Sequence, residues 1–226
     1  MRGIIAEKEW TKDRGTMEKT YLFDFDGTLV DSMPTYAGVM LEILDERAIP
    51  YPDDFVKTIT PLGFVGTAKL FIEMGVKMGE QELVALMVAR MYDKYAHDIP
   101  AKEGVIEALT ELKRRGCGLN VLTASPHDTL DVCLKRLGLY DLFDNVWSCN
   151  DFGTTKADPE IYRLSAERIG KSVSEIIFLD DNLGADLTAK SAGMVVYGVF
   201  DESSKDFEEQ MRASTDAYVR DLRELL

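Results

Sequence analysis

The sequence predicts an α/β protein in which helices cover both faces of a Rossmann-like parallel sheet and a small helical cap is inserted after the first strand. From Pro100 onward, short and almost continuously apolar segments alternate with helical segments, which is typical of a parallel sheet buried on both faces. Before Pro100 there is one such apolar segment, and the stretch after it has helical spacing. With 226 residues, the chain is long enough for this core and one insertion.

The first predicted strand, residues 21–25, reads YLFDF, and its aromatic and apolar side chains favour a buried strand. The stretch that follows, up to residue 100, has no convincing strand and is predicted to be helical. Apolar side chains at helical spacing predict helices over residues 33–50, 67–74 and 80–95. We interpret residues 56–66 as a loop, because Pro61, Gly63 and Gly66 interrupt regular structure.

The rest of the chain supplies the remaining strands and their covering helices. Apolar runs predict strands over residues 119–124, 145–149, 175–179 and 194–200, with an edge strand over 217–219. Helices are predicted before Gly116, over 129–137, between Asp158 and Gly170, over 183–192 and near 204–213. We therefore expect a core domain over residues 18–33 and 101–226, a helical cap over 34–100, and an N-terminal extension over 1–17.

Composition restricts the partners and the compartment. The net charge of −14 argues against nucleic acid or an anionic membrane as a partner. No apolar run approaches the roughly 18 residues of a membrane span, and residues 1–20 lack the apolar region of a signal peptide. Cys117, Cys133 and Cys149 are odd in number and form no C-x-x-C pair, so we expect free thiols. We expect a cytoplasmic protein that is a monomer or a weak homodimer.

Two carboxylates follow the first strand. Asp24 and Asp26 are two positions apart, so both side chains are expected on the same side of the chain. Gly27 then permits a sharp turn, in which Thr28 can form a hydrogen bond. Ligands of open α/β sheets bind at the carboxyl ends of the strands. Because two carboxylates in a dry site need a cation or a shared proton, a divalent metal such as Mg²⁺ with a phosphate group fits this position.

Polar residues mark other strand ends as well. Thr123 ends the second predicted strand, and Asp180 and Asp181 follow the apolar run EIIFL. Between them, Lys156 precedes a predicted helix in the order Lys156-Ala157-Asp158-Pro159. We expect these residues to converge with Asp24 on one small site that holds a cation and an anion.

The string from Asp24 to Ser32, DFDGTLVDS, resembles motif I of the haloacid dehalogenase superfamily of phosphatases and phosphomutases, D-x-D-G-T-[LV]-x-D-S. Thr123, the K-x-x-P pattern at Lys156 and the acidic pair match the remaining motifs of that superfamily in the same order. The resemblance covers nearly the whole chain from Tyr21. It implies a Mg²⁺-dependent phosphatase of a small phosphorylated metabolite, most similar to phosphoglycolate phosphatases and their β-phosphoglucomutase relatives.

The resemblance also implies the role of each residue. Asp24 would attack phosphorus and form an aspartyl-phosphate, and Asp26 would act as general acid and base. The implied metal-binding residues are Asp24, Asp26 through its backbone carbonyl, Asp181 and, in support, Asp180. The implied phosphate-binding groups are Lys156, the Thr123 hydroxyl and the N–H groups near Gly27 and Ala124. Of these, Asp24, Asp26, Thr123 and Lys156 form the expected catalytic set.

Two features leave alternatives open. Many superfamily members have G-D-x-x-x-D where this chain has Asp180-Asp181-Asn182, and the next acid, Asp186, falls five residues after Asp181. The implied cap decides the substrate, and the segment 57–66 is the candidate contact, with Lys57 and Lys69 as candidate cations.

A phosphomutase would use the same residues. A non-catalytic phosphoacceptor, such as a receiver domain, or a pseudo-enzyme belongs to a different class. Metal-free dehalogenation would leave Asp26 without a role.

Overall fold

A computed structural model describes residues 19–226, so the predicted N-terminal extension, residues 1–17, lies outside the described residues. The described chain forms one six-stranded sheet in the order β3-β2-β1-β4-β5-β6, and every neighbouring pair is parallel. The predicted Rossmann-like parallel sheet is thus confirmed. The strands are β1 (Thr20–Phe23), β2 (Gly118–Thr123), β3 (Asn145–Ser148), β4 (Ile176–Asp180), β5 (Val195–Val199) and β6 (Ala217–Val219).

Four helices lie between β1 and β2, and we call them the helical block: α1 (Met33–Asp45), α2 (Phe55–Ile59), α3 (Gly63–Glu73) and α4 (Glu80–His97). Five further α-helices in the described chain connect or follow the strands: α5 (Val105–Arg114), α6 (His127–Arg136), α7 (Glu160–Ile169), α8 (Leu183–Ala192) and α9 (Glu208–Ser214). Among the described residues, no helix combines the length and the apolar composition that crossing a bilayer requires.

The sheet is buried on both faces, and the alternation of strand side chains explains how. In β1, Tyr21 and Phe23 join the core cluster that contains Leu109 of α5. Leu22 points to the opposite face and packs in a second cluster with Ile161 of α7. Because helices cover both faces, the strands have the continuously apolar sequence from which the parallel sheet was predicted.

The prediction of a loop over residues 56–66 is wrong. Helix α2, a 3₁₀ turn at Thr60–Leu62 and the first turn of α3 occupy this stretch. Phe55 and Ile59 are buried in the core, and the Phe55 ring stacks on Phe71 with a centroid distance of 6.2 Å. Pro61 lies at the start of the 3₁₀ turn, where a missing N–H costs little. Burial of the apolar side chains therefore stabilises helical structure despite the proline and glycines.

The chain leaves the sheet for the helical block and returns from it along paired connections. Val30 and Ala101 form an antiparallel bridge. Asp31 N donates to Pro100 O at 3.0 Å, and Lys102 N donates to Leu29 O at 3.0 Å. The block is thus attached beside the carboxyl end of β1, where the candidate residues lie.

Candidate active site

Three aspartates meet where β1 and β4 end. The two strands are parallel neighbours, and Asp24 N continues the pairing by donating to Leu179 O at 2.8 Å. One carboxylate oxygen from each of Asp24, Asp180 and Asp181 lies within 4.8 Å of the others, and all three residues are buried. We call these residues the acidic cluster. The sequence expectation that Asp24 and the acidic pair converge agrees with this geometry.

Lys156 places one ammonium group against the acidic cluster. Its Nζ donates to Asp24 Oδ1 and, at 2.8 Å, to Asp180 Oδ2. Burial by itself lowers the pKa of Lys156, but the carboxylates of Asp180 and Asp24 outweigh burial and raise that pKa above its usual value. Lys156 therefore stays charged, and it reaches the cluster from the segment before α7.

One ammonium does not neutralise three carboxylates. Burial raises the pKa of Asp24 to about 7, although Lys156 opposes the shift. Burial also raises the pKa of Asp181 well above its usual value, and Asp180 and Asp24 add to the effect. Closely spaced carboxylate oxygens with excess negative charge are the donor set that hard divalent cations prefer. The acidic cluster therefore fits a divalent metal ion.

Gly27 brings the loop after β1 against Asp181. Its φ of +76° lies in the left-handed region, and a Cβ there would be 2.4 Å from Asp181 Oδ2. The next residue, Thr28, donates from Oγ1 to Asp181 Oδ1 at 3.3 Å. The Gly27 N–H donates to Val30 O at 3.0 Å, so in this conformation it is not the free phosphate donor that the sequence suggested. Gly27 instead permits the close approach of the loop to the acidic cluster.

Asp26 has different surroundings from Asp24, although it lies only two residues away. Three hydroxyl groups donate to its carboxylate: Ser32 to Oδ1 at 2.7 Å, Tyr95 to Oδ1 at 2.5 Å and Ser125 to Oδ2 at 2.5 Å. We call these three residues the hydroxyl cluster. They come from the connection before α1, from α4 and from the segment after β2.

The end of β2 is linked to Asp26 through Ser125. Thr123 is buried as the last residue of β2, and its Oγ1 accepts a hydrogen bond from Ser125 N at 3.0 Å. Ala124 lies between these two residues. Thr123 and Ala124 are thus at the same sheet edge as Asp24, since β1 and β2 are parallel neighbours. Phosphate binding by these two residues stays a prediction.

A second lysine, Lys102, is partly buried and supports the loop after β1. Lys102 Nζ donates to Gly27 O at 2.5 Å, to Phe200 O at 2.6 Å and to Asp201 Oδ2 at 2.9 Å. The ammonium thereby ties the loop to the segment after β5. This lysine was not predicted as a site residue, because its partners are distant in sequence and it belongs to no motif.

Asp186 is buried near the acidic cluster without sharing its contacts. Neither of its carboxylate oxygens has a hydrogen-bond partner within residues 19–226, and only 1% of the residue is exposed. Burial raises its pKa to about 9, and the charges of Asp180 and Asp181 add to the shift. It lies outside the group of oxygens that could hold one metal ion. Asp186 is also absent from the metal-binding residues that the resemblance implies.

Of the remaining predicted features, the three cysteines are free thiols, with Cys133 and Cys149 buried and Cys117 partly exposed. Lys57, a candidate cation, forms an ion pair with Asp206 at 2.6 Å on the surface. The residues that sequence reasoning missed are chiefly Tyr95 and Ser125. Ser125 follows the strand-end Thr123 and offered a weak signal, whereas Tyr95 lies on the apolar face of a long helix.

A Rossmann-like parallel sheet, a helical insertion after the first strand and an acidic cluster at the carboxyl edge define a recognisable class of hydrolases. A sequence model of the haloacid dehalogenase-like hydrolase family matches residues 18–193. The chain belongs to this family.

Individual relatives with assigned names are similar to this chain over most of its length. The chain is 32% identical over 179 residues to the pyrophosphatase PpaX of Bacillus velezensis, an alignment that covers 79% of this chain and 81% of the relative. It is 27% identical to a phosphoglycolate phosphatase of Rhodobacter capsulatus over 80% of this chain and 84% of the relative. A solved structure from Thermotoga maritima, provisionally assigned as a β-phosphoglucomutase, superimposes with a TM-score of 0.77 at 25% identity, covering 92% of this chain and 96% of that chain. The predicted superfamily is thus confirmed, and the chain is a hydrolase whose relatives are named as phosphatases.

Proposed function

We propose that this protein is a Mg²⁺-dependent phosphomonoesterase that acts on a small phosphorylated metabolite through an aspartyl-phosphate intermediate. The observation that carries the proposal is the buried contact of Asp24 with Lys156 beside Asp180 and Asp181. A carboxylate nucleophile must approach an anionic phosphate, so it needs compensating positive charge close by. The phosphatase relative from Rhodobacter capsulatus supports phosphoglycolate as the first substrate to test.

In this proposal, Asp24 is the nucleophile. Its carboxylate oxygen bonds to phosphorus while the bond from phosphorus to the leaving oxygen breaks, so one difficult transfer becomes two easier ones. Asp26 gives its proton to the departing oxygen. It then takes a proton from the water that attacks the aspartyl-phosphate, which releases inorganic phosphate and restores Asp24.

Other residues bind the phosphoryl group and orient the nucleophile. Lys156 holds Asp24 by its contact at Oδ1 and offsets negative charge on the phosphate. Thr123 and the N–H of Ala124 are the proposed phosphate donors at the end of β2. The proposed holders of Mg²⁺ are Asp24, Asp181, the backbone carbonyl of Asp26 and, in support, Asp180. When bound, Mg²⁺ supplies positive charge that stabilises the transferring phosphoryl group.

We further propose that the helical block is the cap domain of residues 34–100, and that residues 101–226 with 18–33 form the catalytic core. A cap of this kind closes over the phosphate site, excludes water and contacts the leaving group. The stretch 57–66, now seen to be helical, remains the proposed contact segment for the substrate.

The direct test is phosphate release from a panel of phosphorylated small molecules, including phosphoglycolate, sugar phosphates, pyrophosphate and 4-nitrophenyl phosphate, with Mg²⁺ present. We expect turnover of at least one monoester and loss of that turnover in a chelator, restored by excess Mg²⁺. Activity that persists without a divalent cation would overturn the metal-dependent mechanism. No turnover of any compound in the panel would overturn the phosphomonoesterase assignment.

A phosphomutase is the second candidate, favoured by the likeness to the Thermotoga maritima structure. Both reactions use the aspartyl-phosphate, and they differ in whether water or a sugar hydroxyl accepts the phosphoryl group. Incubation with a sugar 1-phosphate and a catalytic amount of its bisphosphate separates them. An isomerised sugar phosphate without free phosphate indicates the mutase, whereas phosphate release at the rate of substrate loss indicates the phosphatase.

A further inference from the structure

We propose that Tyr95 is a positioning residue that fixes the Asp26 carboxylate for proton transfer. The inference rests on the proposed function, in which Asp26 is the general acid and base. Its basis is the hydroxyl cluster, which receives one member from each of three separate parts of the fold. Two of these members, Ser32 and Tyr95, lie where the chain enters and leaves the helical block.

The position of the Tyr95 hydroxyl is fixed by several contacts. The residue is 6% exposed, and its ring stacks on Phe25 with a centroid distance of 5.8 Å. Its backbone carbonyl accepts a hydrogen bond from Arg136 Nε of α6 at 3.1 Å. Burial raises the pKa of Tyr95 well above its usual value, and Asp26 adds to the shift, so the phenol stays protonated and donates. These contacts therefore hold the Tyr95 hydroxyl in one position between the end of α4 and the sheet.

The hydrogen bonds also select one oxygen of Asp26. A carboxylate offers about four lone-pair positions, two on each oxygen. Oδ1 accepts from both Ser32 and Tyr95, which fills its two positions, whereas Oδ2 accepts from Ser125 alone. The remaining position is on Oδ2, so Oδ2 carries the proton that Asp26 transfers. In the first step this proton moves from Oδ2 to the leaving oxygen, and in the second a water proton moves to Oδ2.

The donors to the two oxygens of Asp26 come from different parts of the fold. Ser125 belongs to the segment after β2, whereas Ser32 and Tyr95 border the paired connections at Val30 and Ala101. Tyr95 is thus the donor to Asp26 that comes from a helix of the helical block. Without its hydroxyl, Oδ1 accepts from Ser32 alone, and the direction of the Asp26 carboxylate is less constrained.

The test variant is Tyr95→Phe, which removes the hydroxyl and keeps the ring on Phe25. Tyr92→Phe is the matched control, because Tyr92 lies on the same helix and is 45% exposed. The measured quantity is kcat/KM, which reports the first phosphoryl transfer, for the best alkyl phosphate of the panel and for 4-nitrophenyl phosphate. The alkyl alcohol is a poor leaving group that needs the proton, whereas 4-nitrophenolate departs with little help.

We expect Tyr95→Phe to lower kcat/KM about 10-fold for the alkyl phosphate and less than about twofold for 4-nitrophenyl phosphate, with no change in Tyr92→Phe. Ser32→Ala is expected to show the same selectivity, since Ser32 donates to the same oxygen. Equal losses on both substrates, or none, would overturn the positioning role while leaving the proposed function intact. A wild-type protein that hydrolyses neither substrate would overturn the proposed function and this inference together.

Discussion

The two carboxylates of the DFD segment illustrate two ways of holding an acid in a protein interior. Asp24 lies in a charged environment, with two further carboxylates and the ammonium of Lys156 around it. Asp26 lies among neutral hydroxyls and contacts no cation among the described residues. A nucleophile that faces an anionic phosphate needs positive charge, whereas an acid and base needs partners that fix its direction in both protonation states. The two side chains are identical, and it is their surroundings that favour a different proposed role for each.

The largest expected effect is that of Asp24→Asn. The change is nearly isosteric and removes the proposed nucleophile, so phosphate release should fall by at least about 10³-fold. Since burial disfavours the charged form of Asp24, the neutral amide is not expected to lower the unfolding temperature. Asp31→Asn, an exposed change in the same motif, is the control and should retain activity. Near-normal rates in Asp24→Asn would remove Asp24 from the mechanism.

Lys156→Met tests the same charged environment by removing its positive charge. The ammonium is almost fully buried between two carboxylates, and breaking a buried ion pair by removing one partner costs about 3–5 kcal/mol. The free energy of unfolding, measured with urea at neutral pH without divalent cations, should fall by an amount of that order. Lys190→Met is the control, because its pair with Asp216 is exposed and should contribute below about 1 kcal/mol. Equal, small losses in both variants would show that the acidic cluster does not depend on Lys156.

The charged environment was predictable from the sequence, and the hydroxyl cluster was not. In a parallel sheet, the residues that end the strands lie at the same edge. Asp24 and Asp181 each follow a predicted strand, so their positions in the sequence were enough to predict that they lie close together. Tyr95 instead continues the buried face of α4 after Met87 and Met91, and its ring is typical of a core position. Its partner lies 69 residues away in sequence, and no local pattern indicates that contact.

Secondary structure in the helical block shows the same limit: local patterns were predictable from the sequence, and long-range contacts were not. The strands and most helices were predicted to within a few residues, because each has a periodic apolar pattern. Residues 56–66 were wrongly predicted to be a loop, because a proline and two glycines were given more weight than the apolar residues. Burial of Phe55 and Ile59 stabilises a helix there. Packing against distant residues decides such cases, and a single sequence does not display it.

Asp186 extends the comparison to a buried acid that, in the part of the chain that the structure describes, contacts neither a cation nor a hydroxyl donor. Burial raises the pKa of Asp186 from its ordinary value of 3.8 to about 9 in the folded protein. The folded state therefore binds more protons between these values, and Asp186 makes the free energy of unfolding fall as the pH rises, by at most about 1.4 kcal/mol per pH unit. Asp186→Asn should remove this contribution.

The measurement is the unfolding temperature between pH 6 and 9 in a chelating buffer. The advantage of Asp186→Asn over the wild type should grow with pH, whereas Asp53→Asn, at an exposed position, should run parallel to the wild type. A difference between Asp186→Asn and wild type that is constant with pH would mean that the Asp186 carboxyl already ionises below this range.

The smallest expected effect concerns Lys57, where the helical block contacts the segment after β5. Its ion pair with Asp206 is short, at 2.6 Å, but both side chains are more than half exposed. Such pairs contribute below about 1 kcal/mol and weaken with salt, so Lys57→Met should change the unfolding free energy by less than that amount. Because the ammonium already has a carboxylate partner, KM for the best substrate should change less than about twofold, as in the exposed control Lys77→Met. A tenfold rise in KM that is specific to Lys57→Met would instead make Lys57 a substrate contact and would extend the charged environment of Asp24 into the helical block.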